Sequence, residues 1–412
     1  MQINKNYRYE AKSVDDLQDI VFQAIDEVSE ELREISLKIN DKPELAKEER
    51  FAHELLVNYL KKKGFKVTPS AYGIETAFVA EFQSKIGEGR VVSFNSEYDA
   101  LPELGHACGH NLIAISGVGA VIGLKAVLEK FEIEGTVKLF GTPAEEIGVG
   151  KIELIEAGAY KDVDVSLMIH PAAADGAFGK LIANNSIVVE YFGKSAHASG
   201  KFSIILCFIN LEIIGINALD AIVLAYNNIG LLRQQSLPTN RVHGIITNGG
   251  TAPNVIPDYT SGRFTVRGMT IEDLRSFCPR VQKCFEGAAE ATGAKLKTKW
   301  SKGTYDVKIN SPMATRYETY NSQKFGTKFP SREQQFSTSF AASTDQGNVT
   351  YVVPGIHPSY SIFETSSEIN NHTPKFAEQA RTKFAHEKTI EATKSVALVG
   401  LDILIDDKFY RE

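Results

Sequence analysis

The chain carries, in order, His106-Ala107-Cys108-Gly109-His110, Pro143-Ala144-Glu145-Glu146 and His170-Pro171. Two imidazoles, a thiol, paired carboxylates and a further imidazole, each beside turn-forming Gly or Pro, make a donor set for a divalent metal. Such an ion suits hydrolysis, because it polarises a carbonyl and lowers the pKa of water. Cys108 and His110 lie two apart across a glycine, so in an extended or turn conformation both side chains face one side. That spacing suits two ligands on one metal, or a thiolate shared by two. Adjacent acids are ordinarily a solvated face. After an apolar run and Pro143, however, Glu145-Glu146 can divide the labour, one carboxylate holding metal while the other accepts a proton from water. His170 ends an apolar run, where a core histidine would be ordinary; the neighbouring motifs argue for a ligand instead.

These side chains converge only if the elements before them do. Apolar runs at 91–94, 136–140 and 165–169 predict strands, and Asp99, Glu145-Glu146 and His170 fall at their ends. Between them, Asn111 to Phe131 reads as a Gly- and Ala-rich buried helix. Upstream, Leu17, Ile20, Val21, Ala24, Ile25 and Val28 recur at helical steps, and Lys47 to Lys63 predicts a second helix closed by Gly64. Strands alternating with helices imply an α/β domain with a mostly parallel sheet, whose ligands lie in the crevice beyond the strand C-termini. From about Ser186 the texture changes. Strands are expected at 187–192, 242–247 and 259–267, and helices at 216–234 and 271–292, a compact α+β insert. The expected division is a catalytic domain formed by 1–185 and 302–412, interrupted by a smaller domain at 186–301.

Composition narrows the partners. A chain of 412 residues is too long for one ordinary core. Its net charge of -6, with 45 Lys and Arg dispersed along the chain, gives no reason to expect nucleic acid or an anionic membrane. A small-molecule partner is expected. Four cysteines, one inside the metal motif, do not make a disulfide framework, and the polar N-terminus lacks an apolar signal core. A cytoplasmic location is the expectation. Cys207, Cys278 and Cys284 are read as packing residues.

One stretch fits nothing around it. Residues Lys201 to Ile214 are almost wholly apolar. They are shorter than the roughly 20 residues a bilayer needs and contain Glu212, so spanning is set aside. A buried extra strand remains open. So does a retained intron, because Gly200-Lys201-Phe202 can be encoded by a sequence resembling a splice donor.

Six ordered motifs carry a resemblance: Ser96 to Pro102, His106 to Asn111, Gly141 to Glu146, Gly193 to His197, Asn248 to Pro257 and Asn371 to Pro374. Together they resemble the aminoacylase, carboxypeptidase and auxin-conjugate amidohydrolase family of metallopeptidases (peptidase family M20), over roughly Leu32 to Asp402. Within it, 225–228, Arg241 to Gly244, Ser343 to Asn348 and Val353 to His357 are most similar to the dipeptidase subgroup that releases basic C-terminal residues. The resemblance implies two divalent metal ions, zinc or manganese with cobalt tolerated. It implies Cys108, His110, Glu146, His170 and His372 as ligands, with Cys108 bridging, Glu145 as general base and Asp99 orienting the ligands. It implies that the insert is a ferredoxin-like dimerisation or lid domain and the protein a homodimer. His197 would stabilise the oxyanion in the neighbouring subunit's site, and Asn254 and Arg267 would bind substrate, Arg267 through its planar donor fork. The insert departs from the family pattern where Lys201 to Ile214 intervenes beside His197. His106, His243 and His357 are read as structural.

Three functions are therefore carried forward. The first is hydrolysis of dipeptides ending in Lys, Arg or ornithine. The second is deacylation of N-acyl amino acids, and the third a non-catalytic regulatory or scaffold role.

Overall fold

The computed structural model describes residues 14–199, 215–337, 339–340, 342–364 and 369–412. The polar N-terminal decapeptide, the apolar run Lys201 to Ile214 and its Cys207 lie outside the described residues. Internal contacts divide the chain into two compact units, Met1–Leu181 with Val307–Glu412, and Ile182–Asp306.

In the first unit, the central strand Val91–Glu97 is buried at every position, the pattern of a sheet covered on both faces. It lies between Thr136–Thr142 and Val165–Leu167, parallel to both, and Val165–Leu167 in turn pairs parallel with Gly355–Ile356. On the other side the sheet continues antiparallel through Phe78–Gln83 to Lys66–Pro69, giving six strands of mixed, mostly parallel pairing. Both long central strands outrun the expected apolar segments. Val91–Glu97 extends three residues past Phe94, and Thr136–Thr142 stops only before Pro143, which lacks the N–H the ladder needs.

Helix His110–Lys130 fills the space against this sheet. It is long and apolar enough to cross a membrane, but 89% of its most apolar window is buried inside the unit. Its glycines allow the close fit: a Cβ at Gly117 would stand 2.4 Å from the Ser96 hydroxyl. The helix expected from Lys47 begins instead at Arg50. Lys47 adopts a left-handed conformation (φ 68°), and the Glu49 carboxylate accepts its N–H. At the other end the Gly64 reading is correct. Gly64 takes φ 80°, with Phe65 N–H on Leu60 O and Gly64 N–H on Lys61 O, closing the helix in a Schellman motif.

The second unit is a four-stranded antiparallel sheet in the order Lys295–Trp300, Ala183–Phe192, Tyr259–Gly268, Arg241–Asn248. Helices Ala218–Leu232 and Ile271–Thr292 pack on it, giving the β-α-β-β-α-β succession of a ferredoxin-like unit. The second helix carries a capping box, Thr270 with Asp273, and ends at left-handed Gly293. Ile187, Val189, Tyr191, Ile222, Phe264 and Phe285 form its buried core.

Candidate metal centre

Most of the candidate donors stand just after strands of the first sheet or at the start of the helix His110–Lys130. Cys108 and His110 flank Gly109, whose φ of 79° turns the chain into the His110–Lys130 helix. Pro171 packs so closely that a Cβ at Gly109 would stand 2.6 Å from it, so this position requires glycine. His110 Nδ1 lies 2.9 Å from Asp99 O and 3.1 Å from Asp99 Oδ1, which places the proton on Nδ1 and leaves the Nε2 lone pair for the centre. Asp99 Oδ2 accepts the Glu146 N–H at 2.9 Å, so one carboxylate aligns a histidine and a glutamate together. His170 donates from Nδ1 to Pro171 O, aiming Nε2 at Cys108 Sγ, 3.6 Å away. His372, left-handed at φ 66° and anchored by its N–H on Ala107 O, brings Nε2 within 3.5 Å of Glu146 Oε2.

The Glu145-Glu146 pair stands on a strained turn. Ala144 has φ 61°, and its N–H is taken by Glu49, a wholly buried carboxylate far away in sequence. Gly150 closes the same turn from the other side, since a Cβ there would lie 1.6 Å from Pro143 O.

The donors fit a pair of divalent ions. Cys108, His110 and His170 place their donor atoms within 4.8 Å of one another, and so do Cys108, Glu146 and His372. Cys108 is common to both sets, as a bridging thiolate would be. In a zinc tetrahedron with Zn–S ~2.3 Å and Zn–N ~2.05 Å the S···N edge is about 3.6 Å, and an N···O edge is about 3.4 Å. The observed Cys108–His170 and Glu146–His372 separations are 3.6 and 3.5 Å. His110 Nε2 and Glu146 Oε1 are buried without a hydrogen-bond partner, a cost that a cation would remove.

Electrostatics agree. Burial pushes the Cys108 thiol up to about 12. Glu145 is raised by burial and by Glu97, and Glu146 is raised by burial. His110 is raised despite its burial, through Cys108 and Asp99. Asp99 is lowered although burial opposes this, because His110 faces it. Burial holds His170 neutral, near 4. The ion-free site thus keeps protons where cations would sit.

The first unit therefore brings together Cys108, His110, Glu145, Glu146, His170, His372 and Asp99. The remaining expected site residues belong to the second unit. There His197 bridges Val255, and Ala198 N–H donates to Asn254 O, so His197 and Asn254 are neighbours. Arg267 lies eight residues along the strand from Tyr259, about 26 Å, with Nε donating to His243 Nε2.

Five residues with positions of consequence were not singled out by sequence: Glu49, Glu97, Lys151, Asp345 and Asn371. Lys151, fully buried, contacts both Glu97 and Asp345. Asn371 donates to Pro171 O at 3.2 Å. Glu97, Asp345 and Asn371 each stood inside a recognised motif without a role; Glu49 and Lys151 stood in none. His357, read as structural, has its ring 5.3 Å from that of His170.

Comparison with known proteins places this geometry. Residues 93–386 match peptidase family M20/M25/M40. The chain is 40% identical to the Xaa-Arg dipeptidase of Mus musculus over 393 residues, 93% of this chain and 88% of that protein. It is 28% identical to a p-aminobenzoyl-glutamate hydrolase polypeptide of Escherichia coli, over 95% of this chain and 94% of that one. A Bacillus subtilis dinuclear metal binding peptidase from the M20 family shares the fold, with a TM-score of 0.67 at 20% identity, covering 92% of this chain and 99% of that structure.

Proposed function

The chain belongs to peptidase family M20/M25/M40 and is a hydrolase acting on peptide bonds, and from this premise we propose that it is a two-metal dipeptidase for substrates with a C-terminal Lys, Arg or ornithine. The observation that carries the reading is its 40% identity, nearly end to end, with an Xaa-Arg dipeptidase, joined to a complete donor set.

An amide is a poor electrophile, and the ions, when bound, supply carbonyl polarisation and a more acidic water. Cys108, His110, Glu146, His170 and His372 would hold them, with Cys108 shared. Asp99 fixes the His110 tautomer and the Glu146 backbone. Glu145 takes the water proton and passes it to the leaving amine. In the second unit, His197 is assigned to oxyanion stabilisation in the neighbouring subunit's site, with Asn254 and Arg267 on substrate. Homodimerisation through this unit is supported by its edge strand Arg241–Asn248, which exposes Ile245 and Ile246. Zinc is the preferred ion for a Cys, His and carboxylate set, and manganese the second. Cys108, Cys278 and Cys284 are all free thiols, which supports a reducing, cytoplasmic setting.

A second reading, removal of an acyl group from an N-acyl amino acid, is favoured by the full-length likeness to the p-aminobenzoyl-glutamate hydrolase polypeptide. The non-catalytic reading has no structural support, since the donor set is intact. A panel of dipeptides and N-acyl amino acids, assayed with zinc, manganese or cobalt and with chelator, decides between them. Chelator-sensitive cleavage of basic dipeptides is the expected result. Cleavage of acyl substrates alone would select the second reading, and silence across the panel would overturn both.

A further inference from the structure

Glu97 ends the central strand with no solvent exposure, and its two oxygens meet different surroundings. Oε1 faces the Lys151 ammonium. Oε2 is buried, has no hydrogen-bond partner, and lies 3.4 Å from His110 Nε2. That nitrogen is itself without a hydrogen-bond partner, and Asp99 faces the other ring nitrogen, Nδ1. Apart from a shared proton, a carboxylate oxygen and a ring nitrogen that face each other in a dry interior call for a cation between them.

The separation is compatible with a zinc-sized ion. The N···O edge about a zinc-sized ion is about 3.4 Å, and the observed contact is 3.4 Å. Glu145 extends the same corner: the donor atoms of Glu97, His110 and Glu145 lie within 4.8 Å of one another.

A third carboxylate beside Glu145 and Glu146 would be strongly repelled without compensation. Lys151 supplies it. Its ammonium sits between Glu97 Oε1 and Asp345 Oδ1, 2.6 Å from the latter, and its backbone N–H donates to Asp345 Oδ2 at 2.8 Å. Both ends of Lys151 are fixed, so Glu97 is oriented through one oxygen while the other stays open.

We propose that Glu97 is an additional ligand of the metal centre, sharing an ion with His110 through Oε2, and that Lys151 and Asp345 are positioning residues that hold it there. The inference rests on the two-metal reading above.

The deciding experiment is a crystal structure of the wild-type protein loaded with zinc or manganese, with ions located by anomalous scattering. Glu97 Oε2 at about 2.0–2.2 Å from an ion is the expected result. Ions held by Cys108 and His110 but more than about 3 Å from Glu97 would overturn this inference alone. Absence of ions from Cys108 and His110 in loaded crystals would overturn the two-metal reading with it. In solution, Glu97→Gln should weaken one of the two ions at least tenfold in chelator competition, with the ion-free protein still folded by circular dichroism. A folded Glu97→Gln variant that binds both ions as tightly as wild type would refute the proposal. If Glu97→Gln does not fold, Glu97→Asp, which keeps the charge for Lys151, takes its place and the same readings apply.

Discussion

The two oxygens of Asp99 serve two different donors: Oδ1 lies 3.1 Å from His110 Nδ1, and Oδ2 accepts the Glu146 N–H at 2.9 Å. One buried side chain thereby sets a histidine tautomer and the backbone of a carboxylate from the next strand. Asp99→Ala should lower metal affinity by about 10- to 100-fold. Competition with a chromophoric chelator measures it, and unchanged affinity in a folded variant would remove Asp99 from the centre.

Glu145 is argued to move protons and Glu146 to bind an ion, although they are adjacent. Glu145→Gln should lower kcat by at least about 10²- to 10⁴-fold while both ions stay bound. Metal analysis after desalting, paired with steady-state kinetics, separates the roles. A variant that loses its ions would give Glu145 the ligand role instead.

These assignments show how the sequence could be read. The candidate ligands stood out in sequence because Cys-Gly-His and Pro-Ala-Glu-Glu are local patterns whose chemistry needs no fold. The strand ends were legible because apolar runs stopped near them, and Ile271–Thr292 because a capping box and Gly293 bracket it. Glu97 was hidden by polarity: the last three strand residues, Asn95-Ser96-Glu97, read as loop until burial shows that they continue the sheet. Lys151 and Glu49 were hidden by distance. A lysine and a glutamate in charged surroundings look solvated, and only tertiary structure shows Lys151 paired with Asp345 and Glu49 holding Ala144.

Metal binding should be a proton release. Without ions, burial raises the Cys108 thiol to about 12, so near neutral pH an ion must displace its proton, and His110 and Glu146 are raised in the same direction. His170, held near 4, is already neutral and adds no competition there. Apparent affinity should therefore fall as pH falls, with at least one proton released as the site fills. Calorimetry in buffers of differing ionisation enthalpy reads the number directly. An affinity flat between pH 6 and 8 would contradict the protonated ion-free site.

Glu49 offers a test away from the donors. Its Oε1 accepts the N–H groups of Lys47 and of left-handed Ala144, both at 2.9 Å. Glu49→Ala leaves them without that acceptor, and each such loss costs about 1–3 kcal/mol where the group is buried. The expected outcome is a lower melting temperature together with a kcat loss larger than any change in KM, because the turn that aims Glu145 relaxes. A stability loss with kcat intact would make Glu49 a folding residue only.

The run Lys201 to Ile214 can be tested through its flanks. Lys194 and Ile216 exchange both backbone hydrogen bonds, at 2.9 and 3.0 Å, and a Cβ at Gly215 would stand 2.9 Å from Ala196 Cβ. The chain therefore leaves and returns at adjacent points. Ala198, still tied to Asn254, lies about 7 Å beyond Ala196, and a join through Ser199 and Gly200 to Gly215 reaches about 10 Å. Deleting residues 201–214 should then leave the second unit folded, with His197 still paired to Val255, and activity equal to or above that of the full chain. Calorimetry and the dipeptide assay on the deleted protein check both. A gain in activity, with mature message lacking the run, would identify it as unspliced sequence. A deleted protein that fails to fold would show that the run is an integral part of the second unit.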